Sequence, residues 1–337
     1  MTSHSKPCVL VTGGAGYIGS HAVLALLDAG WPVAVIDNLS TGFRFAIPDD
    51  VPLYEGDIAD AALLARIIAE QQVGAIMHFA GSIVVPESVA DPLKYYHNNT
   101  AKSRALIEAA VRGGVPHFIF SSTAATYGMP DVAAVSEDTP QRPINPYGWS
   151  KLMTEQMLAD VAASHPLNYG VLRYFNVAGA DPLARSGQST AGATHLIKVA
   201  IEAALGMRES VSVFGTDYAT PDGTGVRDYI HVSDLAAAHV LTLEALIAEP
   251  ARSLTMNCGY GRGFSVTEVL DAVDRVTNRQ LDRRIEGRRA GDPDSLISNP
   301  ARLKQTLGWV PKHADLDTII THALAWERKL SDLRGEG

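Results

Sequence analysis

The sequence predicts an α/β protein in which a doubly wound parallel sheet is joined to a second, smaller α/β domain. Two observations support this fold class. Short apolar strand patterns alternate with helical patterns through the first half of the chain, and this alternation stops near Asn176. Such alternation is typical of a parallel sheet with helices on both faces.

The elements follow from hydrophobic periodicity and from the turn residues that bound it. The predicted strands of the first half are Cys8–Thr12, Pro32–Ile36, Ala75–Phe79, His117–Ser121 and Gly170–Phe175. The predicted helices between them are Ile18–Ala29, Ala59–Glu70, Pro92–Val111 and Pro146–His165. Later in the chain we predict a helix at His195–Leu205, a strand at Ser212–Phe214 and a long helix at Asp234–Ala248, separated by the loops Val177–Ala193 and Thr216–Arg227.

Composition narrows the class of protein. A chain of 337 residues suits two compact domains, and 46% hydrophobic with 19% charged residues is an ordinary soluble balance. The N-terminal letters MTSHSKP lack the apolar core of a signal peptide, which predicts a cytoplasmic protein with Cys8 and Cys258 reduced and no metal site. A net charge of −9 argues against nucleic acid and anionic membranes as partners, and an anionic substrate would need local arginines.

A glycine-rich motif, TGGAGYIGS, follows the first strand and opens the first helix. Gly13 would permit the tight turn, Gly16 would let the backbone approach a pyrophosphate, and Gly19 would allow close packing of helix on strand. The helix N-terminus then offers N–H groups and partial positive charge to the phosphates. The motif therefore predicts a Rossmann domain that binds a dinucleotide.

An acidic residue indicates which dinucleotide binds. Asp37 ends the second predicted strand, where a carboxylate accepts hydrogen bonds from the adenosine ribose and repels a 2′-phosphate. No basic residue follows it until Arg44, so NAD is favoured over NADP. Asp57 and Ile58 could bracket the adenine, although Asp57 is equally well suited to be a helix N-cap.

Tyr147 and Lys151 are four residues apart in a helix that Asn145-Pro146 begins, so phenol and ammonium lie on one face. A tyrosine that works as a base near pH 7 needs its pKa lowered by roughly three units, about 4 kcal/mol. A lysine charge at about 4 Å supplies roughly that free energy at an effective dielectric near 20. We therefore predict that Lys151 lowers the pKa of Tyr147.

A hydroxyl group lies one strand–helix unit before this pair. Thr123 ends the strand that begins at His117, at the sheet edge where ligands bind, and its hydroxyl could bond the reacting substrate oxygen. Ser122 is the alternative for that role. Ala124 and Ala125 carry no carboxyl group for general acid–base elimination, which weakens a dehydratase interpretation.

Motifs along most of the chain resemble a known family. They are TGGAGYIGSH, DNLSTG, GDI, HFAG, ESV, NN, FIFSSTAATYG, PYGWSK, LRYFN and GTGVRDYIHV, in this order. From about residue 8 to about residue 330 the chain resembles the extended short-chain dehydrogenase/reductase family, and within it the UDP-hexose 4-epimerases. The resemblance implies reversible epimerisation of UDP-galactose and UDP-glucose at C4, through a 4-keto sugar, with tightly bound NAD.

The resemblance also implies roles for individual residues. Tyr147 removes the sugar 4-OH proton, Lys151 acidifies the phenol, and Thr123 stands where the family carries Ser or Thr. Together with the motifs above, it places at the cofactor Gly13, Gly16, Tyr17, Ile18, Gly19, Asp37, Asn38, Asp57, Ile58, Phe79, Ala80, Gly81, Asn98, Ser121, Ser122, Tyr147, Lys151, Tyr174 and Phe175. It places at the UDP-sugar Thr123, Asn176, His195, Leu196, Ser212, Phe214, Arg227, Arg289, Asp292 and Leu296.

Among the UDP-sugar residues, Arg227 and Arg289 are expected to clamp the pyrophosphate, and Leu296 to limit room for the sugar 2-substituent. Two positions depart from the family pattern: Ser82-Ile83-Val84 replaces a lysine near the cofactor, and His195 replaces an asparagine. The expected domains are 1–176 for NAD, with 228–260 packing back on it, and 177–337 for the UDP-sugar. A homodimer through Pro92–Val111 and Pro146–His165 is also expected.

Other activities of the same fold stay open at this point. A 4-epimerase for UDP-N-acetylhexosamines, UDP-pentoses or UDP-glucuronate would share every motif above. A non-catalytic NAD-sensing regulator would have lost the Tyr147/Lys151 pair, which is intact. A net oxidoreductase would consume free NAD in stoichiometric amounts.

Overall fold

A computed structural model describes residues 6–250, 252–289 and 291–334. Its strands are β1 (Cys8–Thr12), β2 (Val33–Asp37), β3 (Leu53–Glu55), β4 (Val73–His78), β5 (His117–Thr123), β6 (Asn168–Tyr174), β7 (Asn176–Ala178), β8 (Val211–Phe214), β9 (Val226–His231), β10 (Leu254–Cys258), β11 (Gly263–Ser265), β12 (Arg283–Glu286) and β13 (Ser295–Leu296). Its α-helices are α1 (Tyr17–Asp28), α2 (Ala61–Glu70), α3 (Val85–Ala90), α4 (Pro92–Tyr95), α5 (Lys102–Arg112), α6 (Pro146–Ser164), α7 (Leu196–Ala204), α8 (Val232–Ala248), α9 (Val266–Thr277), α10 (Ala301–Leu307) and α11 (Leu316–Arg334).

The chain divides into two compact units. The first comprises Met1–Gly128, Gln141–Arg173 and Ala236–Met256, and the second comprises the remaining segments. Met129–Pro140 thus falls in the second unit, although it lies inside the predicted range 1–176. The reason is a local pairing: the Val135 amide donates to the Ile297 carbonyl at 2.8 Å, and the Val135 carbonyl accepts from the Asn299 amide at 2.8 Å.

The first unit is built on a seven-stranded sheet with the order β10-β6-β5-β4-β1-β2-β3. β1 pairs in parallel with β2 and β4, and the outer pairs β2–β3 and β4–β5 are parallel too. Strands covered by helices on both faces are largely apolar, and every residue of β1, β2 and β5 is buried. The predicted doubly wound α/β fold is confirmed.

The core of this unit lies between the sheet and its helices. Leu10, Ile36, Ile76 and Phe118 are fully buried in one apolar cluster. Burial of large side chains contributes roughly 1.5–3 kcal/mol each, so this cluster holds the carboxyl ends of the strands in fixed positions.

One predicted helix is wrong in detail. The segment Pro92–Val111 is α4, then a π-helix at Tyr96–Ala101, then α5. A π-helix bonds each residue to the fifth along the chain, so it inserts a residue into the helical pattern without removing its apolar face. The three-residue strand β3 is absent from the predicted strands, because so short a segment shows no periodicity.

The second unit has its own sheets and core. β9 is the common partner of β7, β11 and β13, whereas β8 and β12 form a separate parallel pair. α7, α9 and α11 contribute to its apolar cluster through Ile201, Leu270 and Ile320. α9 begins with a capping box, in which Ser265 and Glu268 bond each other's backbone.

Two further findings concern the cysteines and the length of the apolar helices. Cys8 and Cys258 are buried and free, as predicted. Within the described ranges, the helices include none that is long and apolar enough to cross a membrane.

Candidate active site

The glycine-rich turn connects β1 to α1. Gly13 has φ +68°, and a Cβ there would lie 2.6 Å from the Ala80 backbone nitrogen. A Cβ on Gly19 would lie 2.1 Å from the Gly13 carbonyl oxygen, so both positions require glycine. Gly16 is the N-cap of α1 and supplies no side-chain cap, and the first turn carries no acidic residue. The turn is therefore shaped for close approach of an anion to a helix N-terminus.

Asp37 closes the turn from β2. Its carboxylate accepts hydrogen bonds from the backbone amides of Ala15 at 2.9 Å and Leu39 at 2.8 Å. Burial raises the pKa of Asp37, and these two bonds oppose the shift. The neighbouring Asn38 accepts from the Ser40 amide, which folds the following loop. The carboxylate is thus held in place before any ligand binds.

Asp57 is not the N-cap of α2, because Asp60 caps it by accepting from the amides of Ala62 and Leu63. Asp57 instead pairs with Lys102 of α5 at 2.5 Å. Burial acts to raise the pKa of Asp57, but Lys102, the Ala59 amide and His97 together lower it by more. Ile58, which follows Asp57, is buried in the apolar cluster of the first unit.

The segment after β4 also reaches this site. The amides of Phe79 and Ala80 both donate to the Thr12 carbonyl, at 3.0 and 3.1 Å. A Cβ on Gly81 would lie 3.7 Å from the Lys151 ammonium. The chain around Gly81 therefore lies between the glycine-rich turn and the predicted catalytic pair.

Tyr147, Lys151 and Thr123 come together as the sequence predicts. Asn145 caps α6 by accepting from the Gly148 amide at 2.8 Å, which fixes the first turn. The Tyr147 phenol is hydrogen-bonded to the Thr123 hydroxyl, and the Lys151 ammonium donates to the Ser121 carbonyl at 3.0 Å. Thr123, Tyr147 and Lys151 are all buried.

The electrostatics of the pair differ from the prediction. Burial raises the pKa of Tyr147, and the hydrogen bond to Thr123 opposes the rise. Burial also lowers the pKa of Lys151 to about 8, while Glu155 acts to raise it. The expected lowering of the Tyr147 pKa is therefore wrong for the chain alone, because burial penalises the phenolate more than its neighbours stabilise it.

The predicted UDP-sugar residues of the second unit form two groups. His195 and Leu196 begin α7, where burial lowers the pKa of His195 and its ring lies 3.3 Å from the Gln188 amide nitrogen. Asn176 lies on β7, exposed, opposite Tyr229 of β9.

The second group comprises residues of β8, β9 and β13 and of the loop before β13. The Arg289 guanidinium lies 3.8 Å from the centre of the Phe214 ring, and Ser212 lies on the same strand. Arg227 of β9 forms an ion pair with Asp292 at 2.6 Å. Leu296 of β13 is the register partner of Arg227. Arg289 thus lies against an aromatic ring, and Arg227 is held by a carboxylate.

Comparison with known proteins identifies the family. The family model described as "NAD dependent epimerase/dehydratase family" matches residues 9–259. The chain belongs to this family. A UDP-glucose 4-epimerase of Azospirillum brasilense is 58% identical over 332 residues, which cover 98% of this chain and 95% of that relative.

Solved structures of 4-epimerases superimpose closely on this chain. The UDP-glucose 4-epimerase of Brucella ovis in complex with NAD is 45% identical with a TM-score of 0.91, and the match covers 95% of this chain and 98% of that one. The UDP-Glc/GlcNAc 4-epimerase of Campylobacter jejuni is 45% identical with a TM-score of 0.83, and the match covers 96% and 99%. The predicted family and its dependence on NAD are confirmed.

The structure separates the two predicted hydroxyl groups and adds polar groups of this epimerase/dehydratase site that sequence reasoning missed. Ser122 donates to Glu155 and is fully buried, so its hydroxyl is engaged there, and Thr123 bonds the phenol. Asn98 donates to the Ser82 hydroxyl at 2.9 Å, but the buried neighbour Asn99 makes more contacts.

Two groups that were missed, Asn99 and His78, lie within the motifs NN and HFAG, but those motifs assign neither residue a contact. Asn99 bonds both the amide and the carbonyl of Ser82 and donates to Ser150 on α6, because the π-helix turns it inward. His78 joins Thr12 and Ser103, and burial with the Lys151 charge lowers its pKa to about 3. Only the fold brings these segments together.

Proposed function

We propose that this chain interconverts UDP-glucose and UDP-galactose by epimerisation at C4, through a 4-keto sugar and with tightly bound NAD. The observation that carries the proposal is the buried Thr123–Tyr147–Lys151 group, in a chain 58% identical to a UDP-glucose 4-epimerase. A phenol hydrogen-bonded to a hydroxyl beside a buried ammonium suits reversible proton transfer to a sugar oxygen.

The residues present fit the cofactor. Gly13 and Gly19 leave room where a Cβ would collide, and α1 begins without a side-chain cap, which suits a pyrophosphate. The Asp37 carboxylate is placed for ribose hydroxyls and opposes a 2′-phosphate. When bound, NAD⁺ would supply the hydride acceptor and donor for C4 of the sugar, and its positive charge would favour the ionised phenol.

The remaining chemistry belongs to the chain. Tyr147 takes the proton of the sugar 4-OH and returns it after the sugar has turned. Lys151 stabilises the phenolate by its charge, and the Thr123 hydroxyl holds the phenol and the reacting oxygen in register. Burial excludes water from all three, which strengthens each of these interactions.

The UDP moiety is assigned to the second unit. Arg227 and Arg289 supply the positive charge that a chain of net charge −9 needs for a diphosphate. Phe214 and Ser212 are suited to the uracil, with Leu196 nearby, and Asp292 to a ribose hydroxyl. Substrate would then bind an arginine that already pairs with Asp292.

The two departures from the family pattern weaken no catalytic contact. Ser82, in the place of the expected lysine segment, bonds Asn98 and Asn99 instead. His195 is half-buried with a ring nitrogen near Gln188, and burial lowers its pKa, so its imidazole is neutral near pH 7.

We also infer a homodimer and a cytoplasmic location. Leu93 of α4 and Trp149 and Met153 of α6 expose 78%, 42% and 41% of their surface. Exposed apolar residues on neighbouring helices are typical of an interface. The free thiols Cys8 and Cys258 suit a reducing compartment.

The proposal is tested without added cofactor. Purified protein is incubated with UDP-galactose, and the sugar signals are followed by NMR until they stop changing, with Tyr147→Phe as the control. We expect a mixture of UDP-glucose and UDP-galactose. A protein that leaves UDP-galactose unchanged but converts UDP-N-acetylhexosamines, UDP-pentoses or UDP-glucuronate would contradict the sugar assignment.

A further inference from the structure

We propose that the buried Glu155–Arg173 ion pair is the electrostatic support of Lys151, and that Glu155 is a positioning residue which keeps the ammonium charged and fixed on the catalytic face of α6. The inference deepens the proposed function and rests on it for the role of Lys151.

Geometry places Glu155 in line with the catalytic pair. Tyr147, Lys151 and Glu155 follow one another at intervals of four residues, so they occupy one face of α6 over about 12 Å. Each of the three is less than a tenth exposed. A carboxylate so deeply buried is not a solvated helix residue, and its charge acts at low dielectric.

The contacts of Glu155 hold its carboxyl group in place. Arg173 of β6 donates to it from Nε at 3.1 Å and from Nη2 at 2.6 Å. Ser122 of β5 and Gln141 donate to its two oxygens as well. Arg173 is fixed in turn by Tyr127, whose hydroxyl accepts from Nη1 at 2.8 Å. Groups from α6, β5, β6 and the turn after β5 thus converge on one carboxylate.

The charge of the Glu155 carboxylate affects the protonation of Lys151. Burial pulls the pKa of Lys151 down to about 8, and Glu155 acts in the opposite direction. Without the carboxylate, burial would act unopposed and the ammonium would lose its proton nearer neutral pH. The lysine could then no longer stabilise the phenolate.

The other groups that face Lys151 cannot replace Glu155. Ser121 offers only a neutral carbonyl, and the Phe120 ring lies 4.9 Å from the ammonium. His78 is buried with a pKa of about 3, so it stays neutral. The Tyr147 phenol is protonated at rest, because burial raises its pKa.

The experiment measures the titration of Lys151 itself. The ¹³Cε shift of Lys151 is followed against pH in ¹³C-lysine-labelled protein with its bound nucleotide, and the signal is assigned by its loss in Lys151→Ala. In Glu155→Gln we expect the pKa of Lys151 to fall by at least about one unit, the low end for removal of a nearby opposite charge. The alkaline limb of kcat should move to lower pH by the same amount.

Matched variants separate charge from shape. Ser122→Ala removes a neutral contact of Glu155 and should leave the Lys151 titration where it is in the wild type. Glu155→Asp keeps the negative charge, so the pKa of Lys151 in this variant should lie close to the wild-type value. Glu155→Gln leaves Arg173 buried without a counterion, so the double variant with Arg173→Met is needed to remove both charges at once.

The outcomes are decisive in each direction. A lowered Lys151 pKa in the double variant, with Ser122→Ala unchanged, supports the proposal. An unchanged titration in the double variant overturns it, and so does failure of that variant to fold, since the pair would then serve the fold itself. If the wild type does not convert UDP-galactose, the proposed function fails, and the lysine titration still decides this inference.

Discussion

Tyr147 is the residue whose phenol must lose and regain a proton in each catalytic cycle. Burial holds its proton on, and the bond to Thr123 opposes this only in part. We expect Tyr147→Phe to reduce kcat by at least about 10²-fold, the low end for loss of a general base. Binding of the UDP-sugar should change little, because the ring is retained. Steady-state kinetics at saturating UDP-galactose measure the first quantity and calorimetric titration the second. Near-normal turnover would contradict the assignment.

The titration of Lys151 is expected to determine how kcat depends on pH. Its lowered pKa, about 8, means that the ammonium is charged at neutral pH and loses its proton as pH rises through that value. We expect kcat of the wild type to decline above this pH. Lys151→Ala should be nearly inactive at neutral pH and recover in part at higher pH, as the phenol ionises unaided. A flat profile in both proteins would rule out this role.

Leu296 is expected to set sugar specificity. It has intermediate volume and no hydroxyl, and it lies opposite Arg227 in the β13–β9 register. We expect strong preference for UDP-glucose and UDP-galactose over UDP-N-acetylglucosamine. Leu296→Ser should raise kcat/KM for the acetylated sugar by up to about 10–200-fold, the range for a pocket change of about 1–3 kcal/mol. The plain hexoses should change only a few-fold. Equal wild-type efficiency on both sugar types would remove Leu296 from the pocket.

At the scale of elements, the exposed face of α6 is expected to form part of the dimer interface. Trp149 and Met153 lie one turn apart and are both partly exposed. The double change Trp149→Glu with Met153→Glu should convert a dimer into monomers, because like charges would face each other across the pair. Light scattering coupled to gel filtration measures the mass. Val310→Glu, at a residue 74% exposed on the second unit, is the matched control and should leave the mass unchanged.

Elements with a strong local pattern were predictable from the sequence, and elements shaped by packing were not. β1 has the predicted bounds Cys8–Thr12, since five apolar or small residues end at a glycine turn. The Tyr147/Lys151 pair was predictable because its spacing is that of one helical turn. Glu155 and Arg173 are 18 residues apart, and only the packing of α6 against β6 joins them. The inward turn of Asn99 depends on a π-helix that leaves no mark in the sequence.

At the scale of the whole molecule, retention of the cofactor is the property to test. We propose that the turn around Gly13 and the preorganised Asp37 enclose the nucleotide, which the proposed cycle returns to its starting state. Denatured protein should therefore release NAD at about one per chain, as expected for a resident cofactor. Enzymatic cycling assays distinguish NAD from NADP in the supernatant. Recovery of NADP, or an active protein that holds no nicotinamide at all, would contradict this prediction.

The first unit is built from three separate stretches of the chain, and this affects its folding during synthesis. Its sheet ends at β10, and the ribosome synthesises β10 only after the whole of the second unit's segment Tyr174–Leu235. Until then β6 is an open edge, and open strand edges recruit other strands. A nascent chain of some 200 residues is thus a partial sheet exposed to its neighbours. A gene shortened before the codon of Leu254 loses part of the nucleotide-binding sheet and not only the unit that follows it in sequence.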